Sequence, residues 1–178
     1  MKNLTEKKIS SETIFKGRFL DVRRDTVTLP NNATSTREWI KHPGAVCIIP
    51  KLDNKTIALI RQFRYPVNKE MIELPAGKLD KDETSEECAH RELEEEIGYK
   101  TNKLTFLTNI HPAIGFANEV MGLYFAEKLI KTKINLDTDE FLELVPTKLK
   151  KAVEMVWSGE ITDVKTIIGI LWAERLFP

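Results

Sequence analysis

Three glutamates crowd the end of one predicted helix. Glu92, Glu95 and Glu96 stand at positions i, i+3 and i+4 of a segment that ends before Gly98, so a helix places them on one face. Like charges at this spacing repel by about 0.2–0.5 kcal/mol per pair, and the last turn of a helix dipole prefers cations. A hard divalent cation such as Mg²⁺ resolves the conflict, because it takes carboxylate oxygens and bridges to phosphate. The pattern predicts metal-dependent chemistry on a phosphate, with a solvated acidic face as the alternative.

The element that must position these glutamates is a capped amphipathic helix. Thr84-Ser85-Glu86-Glu87 has the form of a capping box, with Thr84 as the N-cap and Glu87 as the third helical residue. Pro75 stiffens the loop before the helix, and Gly77 gives that loop backbone freedom. The other face carries an apolar stripe that can pack on a core, formed by Ala89, Leu93 and Ile97.

This segment resembles the Nudix box, Gly-x5-Glu-x7-Arg-Glu-U-x-Glu-Glu-x-Gly-U, in which U is aliphatic. Tyr99 stands at the final position, where the family usually has an aliphatic residue. The matching positions are Gly77, Glu83, Arg91, Glu92, Leu93, Glu95, Glu96 and Gly98.

Flanking stretches are similar to the ADP-ribose pyrophosphatase branch of that superfamily. They are residues 37–46, 61–80, 115–119 and 137–144. The resemblance implies an α+β fold, a Nudix α/β/α sandwich with a mixed β-sheet, plus an N-terminal antiparallel strand region. Residues 1–40 are expected to form that region and to build a homodimer by strand exchange, and residues 41–178 the hydrolase domain. The branch usually has a proline at a position held here by Ile114, and the nearest proline is Pro112.

Hydrophobic patterning predicts the other elements. Asp53-Asn54 reads as the turn of a hairpin that joins two apolar runs, 45–50 and 56–63. Strands are also predicted at 19–29, 37–41, 71–74, 104–110, 120–128 and 142–145, and helices at 149–157 and 164–177.

The resemblance assigns roles in metal binding. It implies Glu92 and Glu96 as the main metal ligands, with Glu95 and the carbonyl of Ala76 contributing. Arg91 is counted among the catalytic residues because it is expected to hold these carboxylates in place, with an ordinary surface arginine as the alternative. Glu83 is expected to support the site. Mg²⁺ is the expected ion, with Mn²⁺ as the alternative.

The resemblance implies that the general base, or a further metal ligand, comes from the acidic loop at residues 137–140, which holds Asp137, Asp139 and Glu140. Glu140 is the first candidate because it precedes the predicted strand, and Asp139 is the second. Glu119 could also approach the metals, and a solvated turn is the alternative for the loop.

The resemblance implies substrate contacts from Arg37, Glu38, Arg64 and Phe116. An arginine suits phosphate because its planar fork binds two oxygens. Trp39 or Phe63 could stack on a base, although each is more often a core residue.

The predicted function is hydrolysis of the pyrophosphate bond of a nucleoside diphosphate sugar, with ADP-ribose giving AMP and ribose 5-phosphate. Two alternatives stay open: another nucleotide sugar or dinucleotide as the substrate, and a sensor that binds ADP-ribose without turnover. A sensor needs no array of glutamates.

Composition is typical of one cytoplasmic enzyme domain. The 178 residues contain 27 Lys plus Arg and 27 Asp plus Glu, so no net charge attracts nucleic acid or an anionic membrane. No apolar run has the length of a signal peptide core or a membrane span. Cys47 and Cys88 are expected to be buried free thiols.

Overall fold

The computed structural model describes residues 3–136, 138 and 140–177. The chain forms two compact units: the first holds residues up to Pro43 with Ala113–Glu119, and the second holds Gly44–Pro112 with Val120 onwards. The strands are β1 Lys7–Lys16, β2 Asp21–Thr28, β3 Thr34–Ile40, β4 Ala45–Pro50, β5 Thr56–Arg64, β6 Lys69–Glu73, β7 Ala76–Lys78, β8 Tyr99–Lys100, β9 Lys103–Ile110, β10 Met121–Glu127, β11 Ile130–Lys131 and β12 Leu142–Lys148. The helices are α1 Ser85–Ile97, α2 Leu149–Trp157 and α3 Val164–Leu176.

The first unit is a three-stranded antiparallel sheet in the order β1-β2-β3. Every residue of β1 is exposed, including Ile9, Ile14 and Phe15. Among residues 3–43, which the structure describes throughout, Val27 is the only buried apolar residue. This unit therefore has almost no core of its own.

The second unit is organised around β4, which is apolar and buried along its whole length. Strand β4 pairs in parallel with β10 and antiparallel with β7, within a mixed sheet of order β7-β4-β10-β9. Because side chains alternate along a strand, Val46 and Ile48 join the apolar cluster on α1, whereas Cys47 and Ile49 join the cluster on α2 and α3. Helices cover both faces of β4, which confirms the predicted α/β/α sandwich.

The predicted hairpin between β4 and β5 is wrong. Strand β5 belongs to a second sheet, ordered β12-β5-β6, and the one bridge in this region joins Ile57 to Lys51, the residue after β4. The turn at Asp53 exists, since the N–H of Leu52 donates to the carbonyl of Thr56 at 3.0 Å. Two continuous apolar runs indicate buried strands without saying which neighbours they pair with.

Both cysteines are buried free thiols, as the sequence predicts. Burial raises the pKa of Cys47 to about 12. None of the helices in the described part of the chain is long and apolar enough to cross a bilayer.

Candidate functional site

Helix α1 begins and ends where the sequence predicts. Thr84 caps its start: the Thr84 hydroxyl accepts the N–H of Glu87 at 3.3 Å, and the Glu87 carboxylate accepts the N–H of Thr84 at 2.9 Å. Gly98 ends the helix in the left-handed region with φ of 68°. The last turn contains no basic residue, and the negative end of the helix dipole disfavours the carboxylates near it.

Gly77 lies directly against the acidic face of α1. A Cβ atom built on Gly77 would fall 1.7 Å from Oε1 of Glu92, a distance at which one of the two groups must move. The glycine of the box is thus required by close packing, because its backbone occupies the space beside a carboxylate.

One arginine holds the outer carboxylates together. Nη1 of Arg91 donates to Oε1 of Glu92 at 2.7 Å and to Oε2 of Glu95 at 2.9 Å. Its Nε and Nη2 bind the two oxygens of Glu83 at 2.8 and 3.0 Å, and Nη2 also donates to the carbonyl of Lys78 at 3.1 Å. Hydrogen bonds from Arg91 lower the pKa of Glu83 to about 2. Arg91 therefore binds three carboxylates and a backbone carbonyl and is no ordinary surface arginine.

Glu96 is a buried carboxyl, with 1% of its surface exposed. Its Oε2 accepts the N–H of Ala76 at 2.9 Å. Burial, followed by the charge of nearby Glu92, raises the pKa of Glu96 well above its usual range, and the bond from Ala76 only partly opposes this. Burial also raises the pKa of Glu92, which Arg91 opposes.

Glu140 lies close enough to this pair to act on both carboxyls. Its charge contributes to the raised pKa of Glu92 and of Glu96. Asp139, the second candidate for the base, lies outside the described residues.

The chemistry of the pair suits a divalent cation. Burial raises the pKa of both carboxyls, and the charge of Glu92 raises the pKa of Glu96 further. Their hard oxygens are the donors that Mg²⁺ takes. In the described part of the chain, no three His, Cys, Asp or Glu side chains are arranged to hold a metal as they stand. Arg91 holds the side chains of Glu92 and Glu95 in this arrangement.

Arg64 approaches the same pair from β5. Its charge opposes the raised pKa of Glu96. Its Nε and Nη2 bind the two oxygens of Glu73 at 2.7 and 2.8 Å, and its side chain remains 41% exposed. Glu73 is buried and also accepts Nζ of Lys165, from the first turn of α3.

The sequence analysis missed Glu73 and Lys165 as part of this site. The available signal was a single charge inside each of two apolar runs, MIELP and VKTIIGIL, because charged residues are almost never fully buried unless paired. That signal does not reveal that the two charges pair across 92 residues.

The other predicted substrate contacts belong to the first unit, where they are exposed. Arg37 binds Glu6 through Nε at 2.9 Å, and Glu38 accepts Nη2 of Arg24 at 2.7 Å. Phe116 is 59% exposed in the turn before Glu119. The side chain of Glu119 lies 3.8 Å from His42.

Family models account for most of the chain. The NUDIX domain model matches residues 41–160, and the nucleoside diphosphate sugar hydrolase N-terminal domain model matches residues 6–40. The chain belongs to the Nudix family. It is a Nudix hydrolase, and hydrolases of this family generally need divalent metal ions.

Curated relatives are similar over nearly the full length. An ADP-ribose pyrophosphatase of Bacillus subtilis is 43% identical over 98% of this chain and 95% of its own. A methanol dehydrogenase activator of Bacillus methanolicus is 40% identical, covering 95% and 92%. A GDP-mannose pyrophosphatase of Yersinia enterocolitica is 31% identical, covering 93% of each chain.

The crystal structure of an ADP compounds hydrolase has the same fold. It is 23% identical in sequence, with a TM-score of 0.87 over 99% of this chain and 96% of that one.

Gly77→Ala tests the close packing of the box glycine. We expect the added Cβ to displace Glu92 and to lower the free energy of unfolding in EDTA by about 1–3 kcal/mol, as overpacking does. Gly115→Ala is the matched control, because a Cβ there meets nothing within 4 Å. Urea unfolding measures both. Equal stability of the two variants would contradict the packing argument.

Glu96→Gln tests the raised pKa of Glu96. Since the folded pKa lies above the unfolded one, the contribution of this carboxyl to stability is complete below the unfolded pKa and is lost as pH rises towards the folded pKa. In EDTA, we expect the variant to melt at a higher temperature than the wild type at pH 7.5, with a smaller gap at pH 5. A variant that is less stable at both pH values would contradict this.

Proposed function

We propose that this Nudix hydrolase cleaves the pyrophosphate bond of a nucleoside diphosphate sugar in a Mg²⁺-dependent reaction, with ADP-ribose, giving AMP and ribose 5-phosphate, as the first candidate substrate. The observation that supports it most is the pair Glu92 and Glu96, two crowded carboxyls beside the cation Arg64. The name of the relative from Bacillus subtilis supports the choice of ADP-ribose.

In this proposal, Glu92 and Glu96 hold the metal, with Glu95 and the carbonyl of Ala76 completing the set. Bound Mg²⁺ neutralises phosphate charge and lowers the pKa of a bound water. Glu96 is oriented before any metal arrives, because the N–H of Ala76 fixes one of its oxygens at 2.9 Å. Arg91 keeps Glu92 and Glu95 from moving apart, which limits the reorganisation needed on binding.

Glu140 is the proposed base, a role that its approach to both carboxyls supports. A positioned carboxylate that accepts the proton of the attacking water contributes about 10²–10⁴ in rate. Asp139 stays the second candidate.

Arg64 is the proposed phosphate contact. Its described hydrogen bonds use Nε and Nη2, and both go to Glu73, which leaves Nη1 of a partly exposed guanidinium for a phosphate oxygen. Arg37, Glu38 and Phe116 stay predicted contacts to the rest of the substrate. A cytoplasmic location also stays a prediction.

GDP-mannose is the second candidate substrate, favoured by the relative from Yersinia enterocolitica. A panel of ADP-ribose, GDP-mannose, other nucleotide sugars and dinucleotides separates the two, with products resolved by chromatography in Mg²⁺, in Mn²⁺ and in EDTA. We expect Mg²⁺-dependent release of AMP from ADP-ribose. Binding of ADP-ribose without any product would favour the sensor instead.

Glu92→Gln and Glu96→Gln test the metal ligands. Several kcal/mol of charge stabilisation depend on the cation, so each variant should lower kcat by at least about a hundredfold. Glu86→Gln is the matched control, since Glu86 is an exposed glutamate in the first turn of the same helix. Turnover that survives in both variants would exclude these ligands.

The proposed assembly is a homodimer formed through the first unit. Strand β1 is an exposed edge strand of ten residues that carries Ile9, Ile14 and Phe15, and the unit has almost no core. Long apolar edge strands usually pair or are covered.

Phe15→Lys tests this assembly. Phe15 is 54% exposed, so a charge there is tolerated in a monomer but disfavoured in an apolar interface. We expect light scattering after size exclusion to give a dimer mass for the wild type and for the control Thr13→Lys, and a monomer mass for Phe15→Lys. A wild-type monomer at micromolar concentration would contradict the proposal.

A further inference from the structure

A buried group of charges joins the start of α3 to Arg64. Nζ of Lys165 donates to Glu73 and, at 2.9 Å, to Asp163, and the side chains of Lys165 and Glu73 are 10% and 3% exposed. Glu73 in turn binds Arg64 with both oxygens. Burial would raise the pKa of Glu73, but Arg64 and Lys165 outweigh it and hold the pKa below its usual range.

The position of Lys165 breaks two local rules. A lysine in the first turn of a helix opposes the helix dipole, and a nine-tenths buried lysine loses most of its hydration. Conflicts of this kind concentrate at functional sites.

Contacts other than those of Lys165 also attach α3. Asp163 caps the helix, accepting the N–H of Thr166 at 3.0 Å and its hydroxyl at 2.6 Å. The hydroxyl of Thr166 accepts the N–H of Leu74 at 2.8 Å, which ties α3 to the end of β6. The distinct contribution of Lys165 is a positive charge on Glu73.

Arg64 reaches Glu73 only in an extended conformation. In the β5–β6 pairing, Arg64 is opposite Lys69 and Glu73 is opposite Ile60. Four residues of strand separate the two side chains, roughly 13 Å along the sheet. The two hydrogen bonds to Glu73 therefore direct the guanidinium along the strands towards Glu73 and restrict where Nη1 can lie.

From these contacts, and resting on the proposed function, we propose that Lys165 is a positioning residue for the diphosphate: through Glu73 it holds Arg64 in the orientation that binds a phosphate of the substrate. Lys165 keeps Glu73 ionised and neutralises part of its negative charge. Glu73 therefore offsets less of the positive charge of Arg64, whose exposed side can attract a phosphate. Without Lys165, Glu73 has two possible responses. It takes up a proton and loses one of its two hydrogen bonds to Arg64, or it stays ionised and draws the guanidinium of Arg64 closer to itself. Either change weakens phosphate binding.

A double-mutant cycle tests whether Lys165 acts through Arg64. Calorimetry in EDTA, where no turnover occurs, gives the Kd of ADP-ribose for the wild type, Lys165→Met, Arg64→Met and the double variant. We expect Lys165→Met to weaken binding about tenfold in the presence of Arg64, the order of a lost charge-assisted hydrogen bond, and less than about twofold in the Arg64→Met background. Lys165→Arg should restore part of the affinity. Equal weakening in both backgrounds, or a wild type that does not bind ADP-ribose, would overturn the proposal.

Thr101→Val controls for lost stability alone. The Thr101 hydroxyl is buried and accepts the N–H of Lys103 at 2.9 Å, outside this group of charges. The Thr101→Val variant should have a lower melting temperature and an unchanged Kd for ADP-ribose. If Lys165→Met does not fold, Glu73→Gln with Lys165→Met takes its place, because this pair buries no unmatched charge. The same dependence on Arg64 is expected.

Turnover is scored separately with Mg²⁺. If the wild type binds ADP-ribose without hydrolysing it, the proposed function is contradicted, but the double-mutant cycle still decides the role of Lys165. If the wild type hydrolyses ADP-ribose but the effects of Lys165→Met and Arg64→Met on the Kd are additive, only the inference about Lys165 is contradicted.

Discussion

The burial of one carboxyl, Glu96, beside a second, Glu92, is the constraint on which the site depends. Removing carboxylates from water is costly unless an opposite charge compensates. Burial raises the pKa of both carboxyls, and the charge of Glu92 raises the pKa of Glu96 further. Three surrounding features hold the two carboxyls together despite this cost in free energy. The capping box fixes the start of α1, Gly77 leaves room for Glu92, and the N–H of Ala76 orients Glu96. In the proposed function, a divalent cation supplies the positive charge that stabilises this pair.

Two arginines act on the pair, Arg91 on Glu92 and Arg64 on Glu96, and they have different tasks. Arg91 is surrounded by carboxylates and a carbonyl, so its charge is used within the protein. Arg64 binds one carboxylate, Glu73, and stays partly exposed. Because Lys165 neutralises part of the negative charge of Glu73, more of the positive charge of Arg64 is available to attract an external anion. Cation and phosphate would thus meet between elements that are already rigid, which reduces the free energy lost to ordering on binding.

The sequence predicted local features well, because each depends on residues close together in the chain. The capping box at Thr84 and the end of α1 at Gly98 are of this kind. The sandwich was instead implied by the family resemblance. Pairing between distant segments was not predictable from periodicity. The β4–β5 hairpin was wrong for that reason, and the pairing of Glu73 with Lys165 was missed for the same reason. Strand β1 was not delimited, since all its residues are exposed and no alternating pattern marks it.

The most direct test is a titration of the glutamate carboxyls by carbon-13 NMR, with Glu92→Gln and Glu96→Gln to assign the signals. The account predicts that Glu96 titrates well above the usual glutamate range in EDTA, and that saturating Mg²⁺ with AMP lowers its pKa markedly, because the bound cation favours the ionised form. An ordinary pKa for Glu96 in EDTA that is unchanged by Mg²⁺ and AMP would contradict the account.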